Sequence, residues 1–383
     1  MRVAVVGGGA VGVTAAHDLA AAGADVRLYE RDEELGDDRT RARHHVEGSS
    51  HRAAGVLAPR PTNAIGAEIA ERALDRFEWL GDRDHRFSVE PTQQVTLVGA
   101  DAEEKQESLR KQVDAAREHD VDVACHDPET VAERFPELDL SGVGLAAVTE
   151  RAAYTTPGPG AYVAAMADRA RDAAVDCWTG VEASISHRGD GPRVDGERFD
   201  AVLVAGGGWT KHVLAPTGIQ LPLKPYRVQA LVSETDYDGP MVLDADAGVY
   251  FRPHPEGLLA GDGTVPEECD PDGWEPSGDD WFVEGAVEAV EARTRVDASD
   301  GADADAAWAG IATATPDHEP LLGEVESDLY VATGWQGHGF LRAPATGEAI
   351  AEQILGERDA IERFDPGRFD GVPEFAIEEG MSV

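Results

Sequence analysis

The fold is decided by the stretch Val3-Ala4-Val5-Val6-Gly7-Gly8-Gly9-Ala10-Val11-Gly12, together with Glu30. The four apolar residues predict a buried strand, the glycines predict a tight turn, and the Ala-rich segment 11–22 predicts a helix. Residues 25–30 alternate like a second strand. A Gly-x-Gly-x-x-Gly pattern between a strand and a helix, followed by an acid about twenty residues later, indicates a dinucleotide-binding βαβ unit.

Each part of this motif has a physical role. Gly7 permits the tight turn, Gly9 lets backbone approach a pyrophosphate, and Gly12 lets the helix pack on the strand. Free amides at the helix start then face the phosphates. Glu30 ends the second strand, where its carboxylate can accept hydrogen bonds from both hydroxyls of an adenosine ribose. An acid there disfavours a 2′-phosphate, which argues against NADP.

Length and composition predict a two-domain globular protein. The chain has 383 residues, of which 42% are hydrophobic. No apolar run approaches the ~20 residues of a membrane helix, and the N-terminus reads as a strand rather than a signal peptide. We therefore expect a cytoplasmic protein without an integral membrane segment. Cys125, Cys177 and Cys269 lie far apart and form no metal-ligand spacing, so we expect reduced thiols and no metal site.

The charge is extreme: 74 acidic residues stand against 33 basic ones, for a net charge of −41. The acids are spread along the whole chain, so self-repulsion opposes the compact state at low salt. In molar salt the screening length falls to ~3 Å. We expect a protein of a high-salt cytoplasm, whose melting temperature rises with KCl concentration. A midpoint independent of KCl would contradict this expectation. The charge also excludes nucleic acid and anionic membranes as partners.

The order of the elements predicts two interleaved domains. Alternating strands and helices at both ends enclose a strand-rich middle, with strands expected at 227–233, 240–243, 248–252 and 257–261. This predicts a Rossmann-like α/β dinucleotide domain, interrupted by an α+β substrate domain with a mostly antiparallel sheet. The predicted dinucleotide domain comprises 1–87, 153–217 and 309–370; the substrate domain comprises 88–152 and 218–308; a tail occupies 371–383.

Further segments, in this order, resemble one family. They are Ser49-Ser50-His51-Arg52-Ala53-Ala54-Gly55-Val56-Leu57, Val181 after Thr179-Gly180, Ala205-Gly206-Gly207-Gly208-Trp209, Thr315-Pro316-Asp317-His318-Glu319-Pro320-Leu321-Leu322-Gly323, and Gly334-Trp335-Gln336-Gly337-His338-Gly339-Phe340. With the opening βαβ unit they resemble the FAD-dependent amine and amino acid oxidoreductases of the D-amino acid oxidase, glycine oxidase, sarcosine oxidase beta and proline dehydrogenase type. The resemblance covers nearly the whole chain, with gaps in the substrate region.

The resemblance implies FAD and oxidation of a carbon–nitrogen bond. Some relatives hold the flavin through a histidine or cysteine, but nothing in this sequence demands such a link, so we expect noncovalent FAD. A hydride would pass from a small amino acid or secondary amine (glycine, sarcosine, proline or a D-amino acid) to flavin N5, and oxygen or another acceptor would take the electrons. The helix after Gly337-x-Gly339 would stabilise negative charge on the flavin. The predicted cofactor-binding residues are Gly7, Gly9, Ala10, Val11, Gly12, Glu30, Arg31, Ser50, Arg52, Ala53, Ala54, Gly55, Val181, Ala205, Gly206, Trp209, Gly310, Gly334, Gly337, His338, Gly339, Phe340 and Leu341.

The first candidate substrate-binding residues lie in the segment Val249-Tyr250-Phe251-Arg252-Pro253. This segment resembles the corresponding one in the sarcosine and proline dehydrogenase branch. Tyr250 and Arg252 point to one face of a strand. Arg252 could bind a substrate carboxylate as a fork, with Tyr250 as a second donor; alternatively, Arg252 makes a structural ion pair. Gln336 and His338 would lie beside the isoalloxazine. These four are the candidate catalytic residues.

One position departs from the family. D-amino acid and glycine oxidases carry a carboxylate-binding arginine two residues after a glycine in the strand before the Thr-Pro-Asp segment. Here Gly310 is followed by Ile311 and then by Ala312. The carboxylate anchor must therefore lie elsewhere, with Arg252 or Arg342 as candidates, or the substrate differs.

Other functions stay open on the sequence. A glycerol-3-phosphate-type dehydrogenase would need a basic pocket, for which the only hint is a cluster of Arg39, Arg41, Arg43, His44, His45, His51 and Arg52. The chain could also be a flavin-binding subunit of a larger dehydrogenase complex, or form a homo-oligomer. An NAD-linked dehydrogenase would lack the yellow colour of a flavoprotein.

Overall fold

The computed structural model describes residues 1–36, 48–189, 191–303 and 306–378. Its helices are α1 (Ala10–Ala21), α2 (Ser49–Arg52), α3 (Ala64–Gly81), α4 (Glu103–Arg117), α5 (Pro128–Arg134), α6 (Pro159–Asp172), α7 (Thr210–Leu214), α8 (Asp280–Arg293) and α9 (Gly339–Leu355). Its strands are β1 (Arg2–Val6), β2 (Asp25–Tyr29), β3 (Val56–Leu57), β4 (Ser88–Gly99), β5 (Val123–His126), β6 (Val143–Thr156), β7 (Asp176–Trp178), β8 (Ile185–Arg188), β9 (Gly191–Val194), β10 (Glu197–Arg198), β11 (Ala201–Val204), β12 (Lys224–Ser233), β13 (Met241–Asp244), β14 (Val249–His254), β15 (Gly257–Gly261), β16 (Ala307–Ala314), β17 (Leu321–Glu326) and β18 (Leu329–Thr333).

The first sheet has six strands in the order β17-β18-β11-β1-β2-β7. Strands β7, β2, β1, β11 and β18 run parallel, and β17 is an antiparallel edge. The chain leaves β1 toward β2 on one side and returns later as β11 on the other. The carboxyl end of β1 is therefore a topological switch point, where ligands bind in open α/β sheets. Gly7 follows β1 at this point.

Both faces of this sheet are covered, which explains the unbroken apolar run of β1. Helices α1, α3, α6 and α9 pack on one face through side chains such as Leu19, Phe77, Tyr162 and Ile350. The other face packs against the three-stranded unit β8–β10 and neighbouring loops. The dinucleotide motif is thus held between buried layers that fix the position of its turn.

The second sheet has nine strands in the order β16-β12-β15-β14-β13-β4-β6-β3, with β5 paired to β6. All its pairings are antiparallel except β13 with β4. One face packs against α5 and α8. The opposite face carries a row of residues matched by register, namely Thr96, Leu243, Tyr250, Gly261, Ala230 and Trp308. This face looks toward the first sheet and forms one wall of the site.

The helices and strands follow the order predicted from the sequence, but some elements and boundaries differ from the prediction. Strand β6, of fourteen residues, was not predicted. Strand β16 crosses the predicted domain boundary at 308/309 and belongs wholly to the nine-stranded sheet; the domain division itself stays a prediction. Across the described ranges, no helix is long and apolar enough to cross a membrane.

Candidate cofactor and substrate site

A cavity of about 820 Å³ lies between the two sheets. It runs from the turn after β1, along the small-residue loop (49–57), to the turn before α9 (334–339), which we call the α9 turn. The nine-stranded sheet contributes Gln94, Tyr226, Leu243 and Tyr250 to its wall. A volume in this range, lined by apolar groups with a few polar ones, suits a cofactor and a small ligand.

The glycine turn is shaped by close backbone approach. Gly7 has φ +111°, and a β carbon there would lie 2.4 Å from the carbonyl oxygen of Ala205. A β carbon on Gly12 would lie 1.9 Å from the carbonyl oxygen of Gly7. Gly12 does not line the cavity, since its role is to let α1 approach the turn. Gly9 precedes α1, whose first turn carries no acid. The positive end of α1 thus faces the cavity.

Glu30 lies at the carboxyl end of β2 and lines the cavity. Its carboxylate accepts hydrogen bonds from the amides of Gly8, at 2.5 Å, and Asp32, at 2.9 Å. Burial raises the pKa of Glu30, although these amide donors counteract the effect. Val181 reaches the same region because its amide donates to the Glu30 carbonyl at 2.9 Å. A buried carboxylate beside the glycine turn can accept hydroxyl donors of a ribose.

The small-residue loop is held against β16 by hydrogen bonds of Arg52. Arg52 is 5% exposed, and its Nη1 donates to the carbonyl of Ala309 at 3.0 Å. The carbonyl of Arg52 in turn accepts from the indole of Trp308 at 2.8 Å. Ser50 caps α1 from this loop, since its hydroxyl accepts from the Ala10 amide at 3.0 Å. The loop therefore joins the helix of the first sheet to β16 of the second.

Arg252 lies under this loop. It is 1% exposed, and its Nε and Nη2 both donate to the carbonyl of Ala54, the former at 3.1 Å. Its Nη1 donates to the carbonyl of Pro253 at 2.7 Å, and the guanidinium lies 4.7 Å from the Tyr154 ring. Arg252 shares a sheet face with Tyr250, as predicted, but only Tyr250 lines the cavity. The expected exposure of Arg252 to the cavity is wrong, because the loop lies between them.

Arg60, which the sequence analysis did not select, lines the cavity. Its Nη2 donates to Gln94 Oε1 at 2.7 Å and to Thr96 Oγ1 at 2.6 Å, and both of these side chains are 1% exposed. Within the described ranges, no carboxylate pairs with Arg60, and its Nε and Nη1 have no acceptor. Burial alone lowers the pKa of Arg60 to about 10, so the guanidinium stays charged at neutral pH. The cavity thus holds a fixed cation whose charge is not neutralised by a described neighbour.

Two other cavity arginines, Arg31 and Arg342, differ from Arg60 because each lies near a carboxylate. Arg31 contacts Asp272 at 3.3 Å and lies 4.5 Å from the centre of the Trp209 ring. Arg342 lies 3.6 Å from a carboxylate oxygen of Glu319. Because these charges are paired, they are weaker candidates for an anionic ligand. The sequence candidate Arg342 therefore ranks behind Arg60.

Two tyrosines place hydroxyl groups at the wall of the cavity. Tyr226 is fully buried, and its hydroxyl has no hydrogen-bond partner in the described part of the chain. Burial raises the pKa of both Tyr226 and Tyr250, so both phenols are neutral donors at physiological pH. A β carbon on Gly261 would lie 2.3 Å from the hydroxyl of Tyr250. Gly261 therefore leaves the space that this ring occupies.

The α9 turn is held against β16. The amides of Gly334 and Trp335 both donate to Thr313 Oγ1 at 3.2 Å, and the amide of Gln336 donates to the Thr313 carbonyl at 2.8 Å. Gln336 is 4% exposed, and its Oε1 is buried without a hydrogen-bond partner. Helix α9 begins at Gly339 without a side-chain cap. Its free amides face the cavity as a site for negative charge.

Most predicted site residues meet in this one cavity. The predicted residues that line it are Gly7, Gly9, Ala10, Val11, Glu30, Arg31, Ser50, Arg52, Ala53, Ala54, Gly55, Val181, Ala205, Gly206, Trp209, Tyr250, Gly310, Gln336, Gly337, His338, Gly339, Phe340 and Leu341. Gly12, Gly334 and Arg252 lie outside the lining. The basic residues 39–45 lie outside the described part of the chain, and of that cluster only Arg52 lines the cavity.

One cluster could reach a metal ion among the described residues. It consists of His212, Asp270 and Asp272, all exposed. Asp272 already accepts from the Trp209 indole at 2.8 Å and contacts His212 at 3.1 Å. These contacts give the cluster a structural role, and nothing else in it indicates a metal.

The arrangement fits FAD. The close-packed glycine turn and the positive end of α1 suit a pyrophosphate, and buried Glu30 suits a ribose. The small-residue loop and the α9 turn leave room for a ring system. A two-sheet fold with these features defines a dinucleotide-binding flavoenzyme of the interrupted Rossmann type.

Comparison with known proteins identifies the family of this chain. The model of the FAD dependent oxidoreductase family, DAO, matches residues 2–353. The chain belongs to this family and is an FAD-dependent oxidoreductase.

Among its relatives is the glycine oxidase of Pseudomonas aeruginosa, 28% identical over 386 residues that cover 94% of this chain and 96% of that protein. The 4-methylaminobutanoate oxidase (formaldehyde-forming) of Paenarthrobacter nicotinovorans is 26% identical over 396 residues. That match covers 97% of this chain, which spans only 46% of the relative. The crystal structure of L-proline dehydrogenase from P. horikoshii has the same fold, with a TM-score of 0.79, 24% identity, and 96% and 97% of the two chains covered.

Proposed function

We propose that this protein oxidises the carbon–nitrogen bond of a small amine that carries a carboxylate. The observation that supports this most directly is Arg60, a charged guanidinium in the cavity wall without a described anionic partner. An unpaired charge that is partly withdrawn from water is unfavourable, and Arg60 is partly buried. An incoming carboxylate would neutralise it and accept from its Nε and Nη1 donors as a fork.

Arg60 is prepared for this role by its neighbours. Gln94 and Thr96, on β4, use only the Nη2 hydrogens and so fix the plane of the guanidinium. Both acceptors are neutral, so they orient the charge without cancelling it. A carboxylate anchored here would place the rest of a small substrate along the sheet face that carries Tyr250.

The amine end of the substrate requires neutral hydrogen-bonding groups and a dry environment. Tyr226 and Tyr250 offer hydroxyls, and Gln336 offers a carbonyl oxygen that lacks a described partner. When bound, FAD supplies the oxidising chemistry. The described residues then have to position the substrate and exclude water, and no protein nucleophile is needed.

Two relatives support the same substrate class through their named substrates. Glycine is an amine with a carboxylate, and 4-methylaminobutanoate is a secondary amine with a carboxylate. We extend this class to sarcosine, proline and D-amino acids as candidate substrates. The electron acceptor is oxygen or another acceptor, and we propose that FAD is held without a covalent bond.

The test is a rapid-mixing experiment in high salt that follows bleaching of the bound flavin. Each candidate is paired with the amine that lacks its carboxylate: glycine with methylamine, sarcosine with dimethylamine, and proline with pyrrolidine. We expect bleaching by one or more amino acids and, for the same pair, at least roughly tenfold weaker apparent affinity for the simple amine, since a charged hydrogen bond contributes about 1.5–3 kcal/mol.

Other outcomes would replace the proposal. Equal bleaching by both members of a pair would remove the carboxylate from recognition. Bleaching by glycerol 3-phosphate alone would favour the phosphate-binding alternative. Measuring the same reactions with and without oxygen identifies the acceptor.

A further inference from the structure

The last described residues, 372–378, pass the end of the cavity at the α9 turn, and we call them the terminal segment. They contain no helix or strand. Just before them, Arg368 makes two 2.8 Å contacts with the carboxylate of Asp317 and donates to the carbonyl of Glu319 at 2.8 Å. The chain is thus fixed beside the cavity residues 318 and 319 before the terminal segment begins.

Lys224 holds the middle of the terminal segment. Its ammonium donates to the carbonyl of Phe375 at 2.7 Å and lies 4.7 Å from the centre of the Phe375 ring. It also lies 3.5 Å from Glu374, which is almost fully exposed. The hydrogen bond and the ring contact are directional, so they fix where the next residues lie.

Ile377 is the buried residue of the terminal segment, with 8% exposure. It packs in one cluster with Tyr226 and Ala314, against which Val228 and Ala312 also pack. Tyr226 pairs with Ala312 across β12 and β16, and both line the cavity. Ile377 therefore covers a thin part of the cavity wall. The side chain of Ala312 is small, so little material separates the cavity from the terminal segment there.

Two further cavity residues contact Glu378. Gln336 Nε2 donates to the Glu378 carbonyl at 2.9 Å, and His318 Nε2 lies 3.5 Å from its carboxylate. The first contact fixes the amide of Gln336 so that its Oε1 stays available as an acceptor. Gln336 and His318 both line the cavity. The terminal segment thus contacts the wall by apolar packing and by hydrogen bonding.

We infer that the terminal segment is the outer wall of the substrate end of the cavity, and that Ile377 limits the size of the substrates admitted. The location of the substrate end rests on the proposed function. The size limit depends only on packing: shortening Ile377 removes the side chain that supports the wall at Ala312. A larger ligand could then extend past Tyr226.

The test measures ligand binding through perturbation of the absorption spectrum of the bound flavin. The variants are Ile377→Ala and, as a matched control, Val372→Ala, since Val372 lies in the same segment and is 50% exposed. A third protein ends at Asp370 and lacks the whole terminal segment. The probes are acetate and cyclohexanecarboxylate, with methylamine and cyclohexylamine as a second series without a carboxylate.

We expect Ile377→Ala to bind the cyclohexyl probe about tenfold more tightly than the parent protein, with the small probe of the same series unchanged, because the opened space buries added CH₂ groups. The protein ending at Asp370 should change in the same direction, and Val372→Ala should match the parent. Flavin content and melting temperature of each variant establish that it folds.

A cyclohexyl probe that binds no more tightly to Ile377→Ala than to the parent overturns the inference, as does an equal change for large and small probes. If only amines bind and their size limit relaxes in Ile377→Ala, the inference stands and the carboxylate part of the proposed function fails. If no probe of either series perturbs the flavin, both fail.

Discussion

Replacing Arg60 by glutamine is expected to raise KM for the amino acid substrate roughly 10- to 150-fold, with a much smaller change in kcat. The substitution removes the charge and the fork of donors, and a hydrogen bond to a charged group contributes about 1.5–3 kcal/mol. Because the carboxylate keeps its charge throughout the oxidation, its anchoring is equally strong before and during the reaction, and such a loss appears in KM.

The controls separate recognition from folding. Arg110→Gln makes the same chemical change on the exposed face of α4, so it should leave KM unchanged. Burial lowers the pKa of Arg60, which means that folding disfavours its charge; the melting temperature of Arg60→Gln establishes that the variant folds. Arg60→Lys should recover part of the affinity. An unchanged KM in Arg60→Gln, with the flavin retained, would remove Arg60 from the substrate site.

Replacing Gly12 by valine is expected to abolish retention of FAD during purification. Even the first carbon of the new side chain would lie 1.9 Å from the Gly7 carbonyl, where nonbonded atoms need about 3.5 Å. Relief requires α1 to move away from the turn that receives the pyrophosphate. Overpacking of this kind costs about 1–3 kcal/mol or more, so FAD affinity should fall by roughly 10- to 100-fold or beyond.

The measurement is the ratio of flavin to protein after purification, followed by reconstitution with added FAD and a melting curve. Gly285→Ala is the matched control, because Gly285 lies within α8 and a β carbon there meets nothing within 4 Å. That control should keep its flavin and gain about 0.5–1 kcal/mol of stability from the helix propensity of alanine. A Gly12→Val protein that purifies with a full complement of FAD would contradict the close approach of α1 to the turn.

The opening βαβ unit could be predicted from the sequence because all of its determinants are local. A strand, a turn that needs glycine and a helix follow one another within thirty residues, and each reinforces the others. The family followed from short motifs in the same order as in the relatives. The β12–β15 strands were also visible, because Asp-, Gly- and Pro-rich loops separate them.

Strand β6 could not be predicted on the same grounds. Its residues 145–149 are buried on both faces of the strand, so they lack the alternation that marks a half-exposed strand. Alanine, which favours helices, fills two of these five positions, 146 and 147. Only the pairing of β6 with β4 and β5 makes this segment a strand.

The substrate end depends on contacts between distant segments. Arg60 became a candidate only once β4 placed Gln94 and Thr96 beside it. The predicted strand began at 227, one residue after Tyr226, so the tyrosine was missed. Arg252 was selected because alternate residues of a strand point to the same face, and it does share a face with Tyr250. The sequence does not reveal that a loop about two hundred residues earlier in the chain covers Arg252.

The strand order of the first sheet also dictates when this protein can acquire its cofactor during synthesis. Strand β1 pairs with β11, and β11 pairs with β18, so roughly 300 residues must emerge from the ribosome between the first and last parallel strands. At about 5–20 residues per second this takes roughly 15 to 60 s. Strand β11 itself begins about 200 residues after β1, so for roughly 10 to 40 s the edge of β1 that pairs with β11 has no partner. Helix α9 emerges after β18. The nascent chain therefore exposes an incomplete apolar sheet until β18 has emerged, and stable flavin binding must follow the emergence of α9.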